Sequence, residues 1–231
     1  MFSERYARNF NTLSLEDQEK LADSGVAIIG LGGLGGGVCE MLARVGVGRL
    51  KLIDGDSFDK SNLNRQLLSE EHLIGTPKAE AAVHRVKSIN SDIKVSHHTE
   101  FLDESNFYEH IKDIDLVMDC LDSIDSRFKL QDAAKKADIP IVSGAIAGVT
   151  GQIMAIFPGD KGYGLIYGEK SRKQSKGIET QTGNISYCAL FVAALQASEC
   201  VKILLQRGDI LRNKLLIAEL WSNTFEIVNL N

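Results

Sequence analysis

A doubly wound α/β sheet is the architecture that this 231-residue chain predicts, and three observations carry it. Short apolar runs at 26–29, 50–53, 93–95, 116–118 and 139–142 alternate with helical patterns through the first two thirds of the chain, as parallel strands joined by crossover helices do. A glycine cluster stands between the first of these runs and the first apolar helix. After Gly144 the rhythm changes to extended runs at 152–157, 215–220 and 225–230, so a mostly parallel sheet is expected to end in antiparallel C-terminal strands.

Composition narrows the class. Hydrophobic residues make up 44% of the sequence, enough for a full-sized core without a metal or disulfide staple, and a single domain over 1–231 is expected. The 26 Lys+Arg against 31 Asp+Glu leave a net charge of -5, which weighs against a nucleic-acid surface as the main partner. The N-terminus is charged from Glu4 onward and lacks the apolar run of a secretory signal. The most apolar stretch, 185–205, is interrupted by Gln196, Glu199 and Lys202 and is not expected to span a membrane. Cys39, Cys120, Cys188 and Cys200 contain no C-x-x-C pair, so a cytoplasmic setting with free thiols is expected.

The remaining elements follow from local signals. Residues 1–24 are expected to form an N-terminal helical segment, and 38–45 the helix after the glycines. Thr76-Pro77 opens a further helix, with Thr76 as N-cap and Ala79, Ala82, Val83, Val86 and Ile89 at helical spacing. Residues 159–183 are Gly- and Lys-rich with weak periodicity and are expected to be a mobile loop. A long apolar-faced helix over 184–206 follows, and Ser222-Asn223 marks the turn of a closing hairpin.

Three segments carry chemistry. Gly30-Leu31-Gly32-Gly33-Leu34-Gly35 lies directly after a strand and before a helix, the context in which a tight glycine turn lets backbone N–H groups approach phosphates at a helix N-terminus. Asp54 ends the next strand, where a carboxylate takes a ribose hydroxyl. Together these define a Rossmann-like nucleotide site. Beyond Asp54, Ser61-Asn62-Leu63-Asn64-Arg65-Gln66 and Lys78 place polar and cationic groups suited to a triphosphate and to the charge that builds on its α-phosphorus. A lysine in the first turn of a helix is disfavoured by the helix dipole, which makes a bound anion a reason for it. Taken singly, Arg65 or Lys78 reads first as a solvated charge; only together with the glycine turn do they point to a phosphate site. Met118-Asp119-Cys120-Leu121-Asp122-Ser123 forms another strand end, where Asp122 could hold Mg²⁺ against the phosphates or simply cap the following helix.

In combination these segments resemble the ThiF, MoeB and HesA family of ubiquitin-like-protein activating enzymes. The likeness extends from Arg5-Tyr6-Ala7-Arg8 through Val142-Ser143-Gly144 and Gly151-Gln152-Ile153 to Leu195-Gln196-Ala197-Ser198-Glu199. It implies an ATP-dependent adenylyltransferase in which the C-terminal glycine carboxylate of a small sulfur-carrier protein ending in Gly-Gly attacks the α-phosphorus, giving an acyl-adenylate and pyrophosphate. It further implies that Gly33 contacts the nucleotide, Asp54 holds the ribose, Asn62, Arg65 and Lys78 meet the phosphates and Asp122 meets Mg²⁺. In the family, the second arginine of the N-terminal segment, here Arg8, reaches the ATP of the other subunit of a homodimer. The nucleotide-binding set expected is thus Gly30, Gly32, Gly33, Gly35, Asp54, Asp56, Asn62, Arg65, Gln66, Lys78, Asp122 and Ser123, with Arg8, Arg65, Lys78 and Asp122 as the catalytic groups.

Two departures from the family matter. The paired C-x-x-C zinc ligands are missing, one pair being replaced by 159–164, and four thiolates at these spacings do not make an ordinary tetrahedral site, so no zinc is expected. The stretch 177–183 carries no cysteine of the kind that links to the carrier, and Cys188 sits among Ile185, Leu190 and Phe191 like a buried small hydrophobe, so adenylation without a thioester step is expected. Rival readings are an NAD-dependent oxidoreductase, which shares the glycine turn and Asp54, an adenylating enzyme for a small molecule or tRNA base, and a non-catalytic carrier-binding subunit. The first leaves Asn62, Arg65 and Lys78 without a purpose, and the last leaves Arg8, Arg65, Lys78 and Asp122 without one.

Overall fold

The computed structural model describes residues 4–173 and 179–230. A 3₁₀ turn at Glu4–Tyr6 and helix α1 (Leu15–Asp23) lead into β1 (Gly25–Ile29), α2 (Gly33–Val45), β2 (Arg49–Ile53), α3 (Lys78–Ile89), β3 (Lys94–His98), α4 (Phe107–Ile111), β4 (Leu116–Asp119), α5 (Ile124–Ala137) and β5 (Ile141–Ala147). Then come β6 (Thr150–Ile156), the short helices α6 (Tyr163–Tyr167) and α7 (Glu179–Thr182), the long α8 (Ser186–Leu205), β7 (Lys214–Glu219) and β8 (Thr224–Asn229).

All eight strands join one sheet in the order β3-β2-β1-β4-β5-β6-β7-β8. Pairing is parallel from β3 to β5 and antiparallel from β5 to β8, as the change of rhythm after Gly144 implies. The chain runs outward from β1 to β3 on one side and returns to β4 on the other, so a crevice opens beyond the carboxyl ends of β1 and β4, where ligands of such sheets bind.

Alternation along β1 feeds two cores. Val26 and Ile28 pack with Val38 and Leu42 of α2, Val86 of α3 and Val192 of α8, while Ala27 and Ile29 face Phe107, Phe128 and Leu130 on the opposite side. Sequestering a single large aliphatic side chain of this kind is worth about 1.5–3 kcal/mol. Helix α8 is long and apolar enough to cross a membrane by length and composition alone. Here it lies on the sheet beside α2 with Gln196 and Glu199 buried, 0% and 1% exposed, as a core helix.

Several local expectations are corrected. Helix α2 begins at Gly33 instead of 38, because its glycines serve packing as well as turning: a Cβ on Gly37 would stand 2.8 Å from the Ala193 side chain of α8. Thr76 does not cap α3; Pro77 holds that position, and the Lys78 N–H is satisfied by the Asp56 carbonyl at 2.9 Å. Strand β3 starts one residue later than the apolar run, since Ile93 is spent in the core just before it. Strand β5 starts two residues later than expected, after Asp138 ends α5 in a left-handed conformation, φ 58°. Within 159–183, expected as a mobile loop, the chain forms α6, a 3₁₀ turn at Glu169–Lys173 and α7; residues 174–178 lie outside the described residues. Tyr163 anchors this stretch: it is 1% exposed, and its N–H donates to Gln131 Oε1 at 2.8 Å.

Candidate active site

The crevice above β1 and β4 is a pocket of about 600 Å³, and the glycine turn is its floor. Gly30 leaves β1 at φ 88°, and a Cβ there would meet the Cys120 carbonyl oxygen at 2.8 Å, so both the turn and the neighbouring strand demand glycine. Gly35 serves the same turn from behind. A Cβ at that position would stand 1.8 Å from the Gly30 oxygen, and the residue is not on the pocket wall. Gly32 is the N-cap of α2 and offers no side-chain acceptor, which leaves the first N–H groups of the helix facing the pocket, where Gly32, Gly33 and Leu34 lie on its wall. Free N–H groups and the positive end of a 13-residue helix suit an anion.

Asp54 stands where β2 enters the pocket. Its Oδ2 accepts from the Leu31 N–H at 2.6 Å and its Oδ1 from the Asp56 N–H at 2.8 Å, so it fixes the glycine turn to the next loop while its carboxylate remains on the wall. Burial pushes its carboxyl above the ordinary carboxylate value, against the pull of those two N–H groups and of Lys78. Lys78 is only 5% exposed, and its Nζ lies 3.1 Å from Asp56 Oδ2. A buried ammonium aimed at the pocket rim and held by a single carboxylate is placed to receive a second anion.

Arg65 also lines the pocket, its guanidinium turned back to the Ser61 carbonyl and Asn64 Oδ1, each at 2.8 Å. Gln66 lies beside it, 7% exposed, and among the described residues neither its Oε1 nor Oδ1 of Asn184, which also lines the pocket, has a hydrogen-bond partner. Buried polar atoms left unpaired cost about 1–3 kcal/mol each. Two of them on one pocket wall mark a place for a polar ligand. Asp122 is exposed on the wall and makes no hydrogen bond among the described residues; the capping role falls to Ser123, whose Oγ accepts from the Ser126 N–H at 3.3 Å. Capping and metal binding therefore do not compete for the Asp122 oxygens.

Of the expected residues, the structure brings together Gly30, Gly32, Gly33, Asp54, Asp56, Arg65, Gln66, Lys78, Asp122 and Ser123. Asn62 is a correction. It is 8% exposed and off the wall, and its Oδ1 accepts from the Asp59 N–H at 3.0 Å, closing the 3₁₀ turn that presents Arg65. Arg8 is also elsewhere in its own chain: it is exposed beside an apolar groove formed by Met41, Val45, Ala197, Val201 and Leu205. Of the N-terminal helical segment expected over 1–24, the described residues form only the turn at Glu4–Tyr6 and α1, with Arg5 donating to the Ile89 carbonyl and Tyr6 Oη accepting from Asn90 Nδ2 at 2.8 Å.

Sequence reasoning missed the buried network behind the far wall, which reaches the pocket through Arg127. Arg127, 4% exposed, donates to Asp119 Oδ2 and Ser143 Oγ, both at 2.9 Å, and to the Gly144 carbonyl at 2.8 Å, while Tyr163 Oη donates to the same Asp119 oxygen. Gln196 Nε2 donates to the Asp119 carbonyl at 3.0 Å, and a Cβ on Gly144 would stand 2.4 Å from its side chain. Thr150 and Gln152 of β6 complete this wall, and Gln152 Nε2 meets Tyr167 Oη at 3.2 Å. The segments holding Ser143, Gln152 and Gln196 stand out by family resemblance alone, and nothing in their spacing ties them to Asp119.

A Rossmann-type sheet whose switch-point pocket combines a glycine turn, a strand-end carboxylate and two cationic residues on its wall defines a nucleotide-binding enzyme fold. The chain belongs to the ThiF family, whose model matches residues 6–231. It is similar to the SAMP-activating enzyme E1 of Haloferax volcanii, 34% identical over 227 residues that make up 97% of this chain and 84% of that protein. It is also similar to the adenylyltransferase and sulfurtransferase MOCS3 of Drosophila persimilis, at 32% identity over 92% of this chain; the chain spans 48% of that longer protein. Among solved structures, E. coli MccB crystallised with AMPCPP and MccA matches with TM-score 0.83 at 23% identity, over 98% of this chain and 71% of that one, a likeness of fold.

Proposed function

We propose that this chain is an ATP-dependent adenylyltransferase that activates the C-terminal glycine carboxylate of a ubiquitin-like sulfur-carrier protein. The observation that carries the reading is the convergence of the α2 N-terminus, Arg65, Lys78 and Asp122 around one pocket where Gln66 Oε1 has no partner among the described residues. The names of two relatives, an activating enzyme and an adenylyltransferase, support it. The oxidoreductase alternative has no comparable use for this cationic rim.

In this mechanism the α2 N-terminus and Lys78 neutralise the triphosphate, and Asp54 takes the ribose. The carrier carboxylate attacks the α-phosphorus, a carboxylate–phosphorus bond forms, and pyrophosphate leaves with the electron pair of the broken phosphoanhydride bond. No side-chain nucleophile takes part. The chain positions the reactants and stabilises equatorial charge, chiefly through Lys78 and Arg65. An exposed, unpartnered carboxylate fits Mg²⁺, which is ordinarily held by one or two carboxylates together with phosphates. Asp122 would hold it, and the ion would supply charge neutralisation at the leaving phosphates.

The carrier would end in Gly-Gly, and the enzyme would act as a cytoplasmic homodimer in which Arg8, beside its apolar groove, serves the partner's site. Cys188, buried in the first turn of α8, supports adenylation without a thioester step. No zinc held by thiolates is expected, since the four cysteines form no C-x-x-C pair. The test is ATP–pyrophosphate exchange with and without a Gly-Gly carrier. Carrier-dependent exchange that NAD does not inhibit is expected; exchange-negative protein that binds NAD would overturn the reading.

A further inference from the structure

His98 closes β3, His110 lies in α4, and both side chains converge on Glu100 between them. Glu100 Oε1 is 3.2 Å from His110 Nε2 and 3.7 Å from His98 Nδ1. The two imidazole rings meet edge to face with centroids 4.4 Å apart. One ligand atom from each residue lies within 4.8 Å of the other two. We infer that His98, Glu100 and His110 form a binding site for a divalent transition metal, with zinc the best match.

Bond lengths support the match. Zinc holds imidazole nitrogen and carboxylate oxygen at about 2.0–2.2 Å, which puts neighbouring ligand atoms of a tetrahedron roughly 3.3–3.5 Å apart. The separations of 3.2 and 3.7 Å straddle that spacing, so an ion needs only small side-chain adjustments. Two imidazoles with one carboxylate are a borderline ligand set that favours zinc, cobalt or nickel over magnesium or calcium. The remaining Glu100 oxygen, Oε2, accepts from Asn106 Nδ2 at 3.3 Å, an outer contact that holds the carboxylate with its other oxygen toward the histidines.

The frame is rigid where it must be. Phe107 and Ile111 of α4 are each 0% exposed and fix the helix that carries His110. The side chains of His98 and Glu100 are 37% and 43% exposed, leaving solvent access for water as a further ligand. A solvent-exposed ion pair between Glu100 and His98 would contribute little, and protonating both rings would set two like charges edge to face. A metal shared by neutral rings makes use of all three groups. The sequence led to an expectation of no zinc, argued from the missing thiolate pairs; this site, which uses no thiolate, departs from that expectation.

Its position ties it to the nucleotide pocket. The His98 carbonyl accepts the Asp54 N–H at 3.2 Å, and the Phe101 ring lies 2.7 Å from where a Cβ on Gly55 would stand. Glu100 and Phe101 both line the pocket. A metal on the trio would therefore brace the rim beside the ribose-side carboxylate.

The experiment uses tag-free full-length protein, stripped with chelator and titrated calorimetrically with ZnCl₂ without nucleotide. One zinc per chain is expected, undisturbed by excess Mg²⁺. His98→Ala, His110→Ala and Glu100→Gln should each weaken binding by on the order of a hundredfold or more, and Asn106→Ala by about tenfold. Circular dichroism confirms that each variant remains folded; Glu100→Gln preserves side-chain shape and tests the charge alone. X-ray absorption of the zinc-loaded protein should show nitrogen and oxygen neighbours with imidazole scattering. Absence of stoichiometric zinc, undiminished binding in the folded His98 and His110 variants, or sulfur in the first shell would each overturn the site. Because no nucleotide or carrier is present, failure here leaves the adenylation reading standing.

Discussion

The two walls of the pocket are built on opposite principles. On the wall formed by the ends of β1 and β2 and the start of α3, and at Asp122 just beyond β4, the charged groups sit in loops or at a helix start, keep few partners and line a space that a ligand can fill: Lys78 has Asp56, Arg65 has two neutral oxygens, and Asp122 has no partner among the described residues. Behind the wall formed by β4, β5 and α5, where Arg127 reaches the pocket, Asp119, Arg127, Ser143 and Tyr163 satisfy one another in the interior. The first arrangement keeps electrostatic capacity available for a substrate. The second spends it on holding the strand ends in register. A substitution on the first wall should therefore show in rate and one on the second in stability.

The largest expected effect breaks the interior wall. Arg127→Ala leaves Asp119, 0% exposed, as an uncompensated buried carboxylate and should cost about 3–5 kcal/mol of unfolding free energy, read from a denaturant melt. A loss below about 1 kcal/mol would erase the contrast between the walls. On the open wall, Lys78→Ala should lower the exchange rate on the order of a hundredfold, about 3 kcal/mol in the barrier, with a melting midpoint close to that of the parent. Asp122→Ala should give a loss of similar or smaller size that rising Mg²⁺ partly restores; exchange undiminished in this variant would remove Asp122 from the metal assignment.

A smaller effect tests the partner's site. Arg8→Ala and Lys78→Ala chains, each nearly inactive alone, should regain up to about a quarter to half of the activity when mixed, because one site of the mixed dimer is intact. Mixed dimers that form yet stay inactive would show that Arg8 does not act across the interface.

The smallest effects concern the thiols. Burial pushes the Cys39 thiol from its ordinary 9.0 up to about 12, and burial raises Cys120 and Cys200 as well. Native protein at neutral pH should react slowly with iodoacetamide, and urea-unfolded protein at all four cysteines. The sign for stability follows. Below the ordinary thiol value both states keep the proton and Cys39 makes no pH-dependent difference; from about 9 to about 12 only the unfolded chain loses it, so stability should fall with rising pH in that window. Cys188→Ala should retain exchange, and a carrier peptide linked to Cys188 in the parent would reverse the reading of that residue as packing.

What was legible in the sequence is local. The glycine turn, Asp54 and the order of strands announce themselves because a tight turn, a strand end and a β-α alternation each write their requirements within about a dozen residues. The same locality misled at Thr76, where a favourable capping residue lost to the Asp56 carbonyl, and at Asn62, whose amide closes its own turn. It also misled within 159–173, where one buried tyrosine orders a stretch that lacks periodicity.

By itself, then, the sequence determined the parallel half of the sheet, the nucleotide floor and the set of charged residues available near the phosphates. Only the tertiary structure decided which of them meet. Arg127 finds Asp119 and Ser143 across separations of 8 and 16 residues, Gln196 reaches Asp119 across 77, and His98 and His110 share one carboxylate. Such pairings depend on how strands register and helices cross. Those choices are made by burying apolar surface on both faces of the sheet, which fixes positions without leaving a mark in the spacing of the polar residues it brings together.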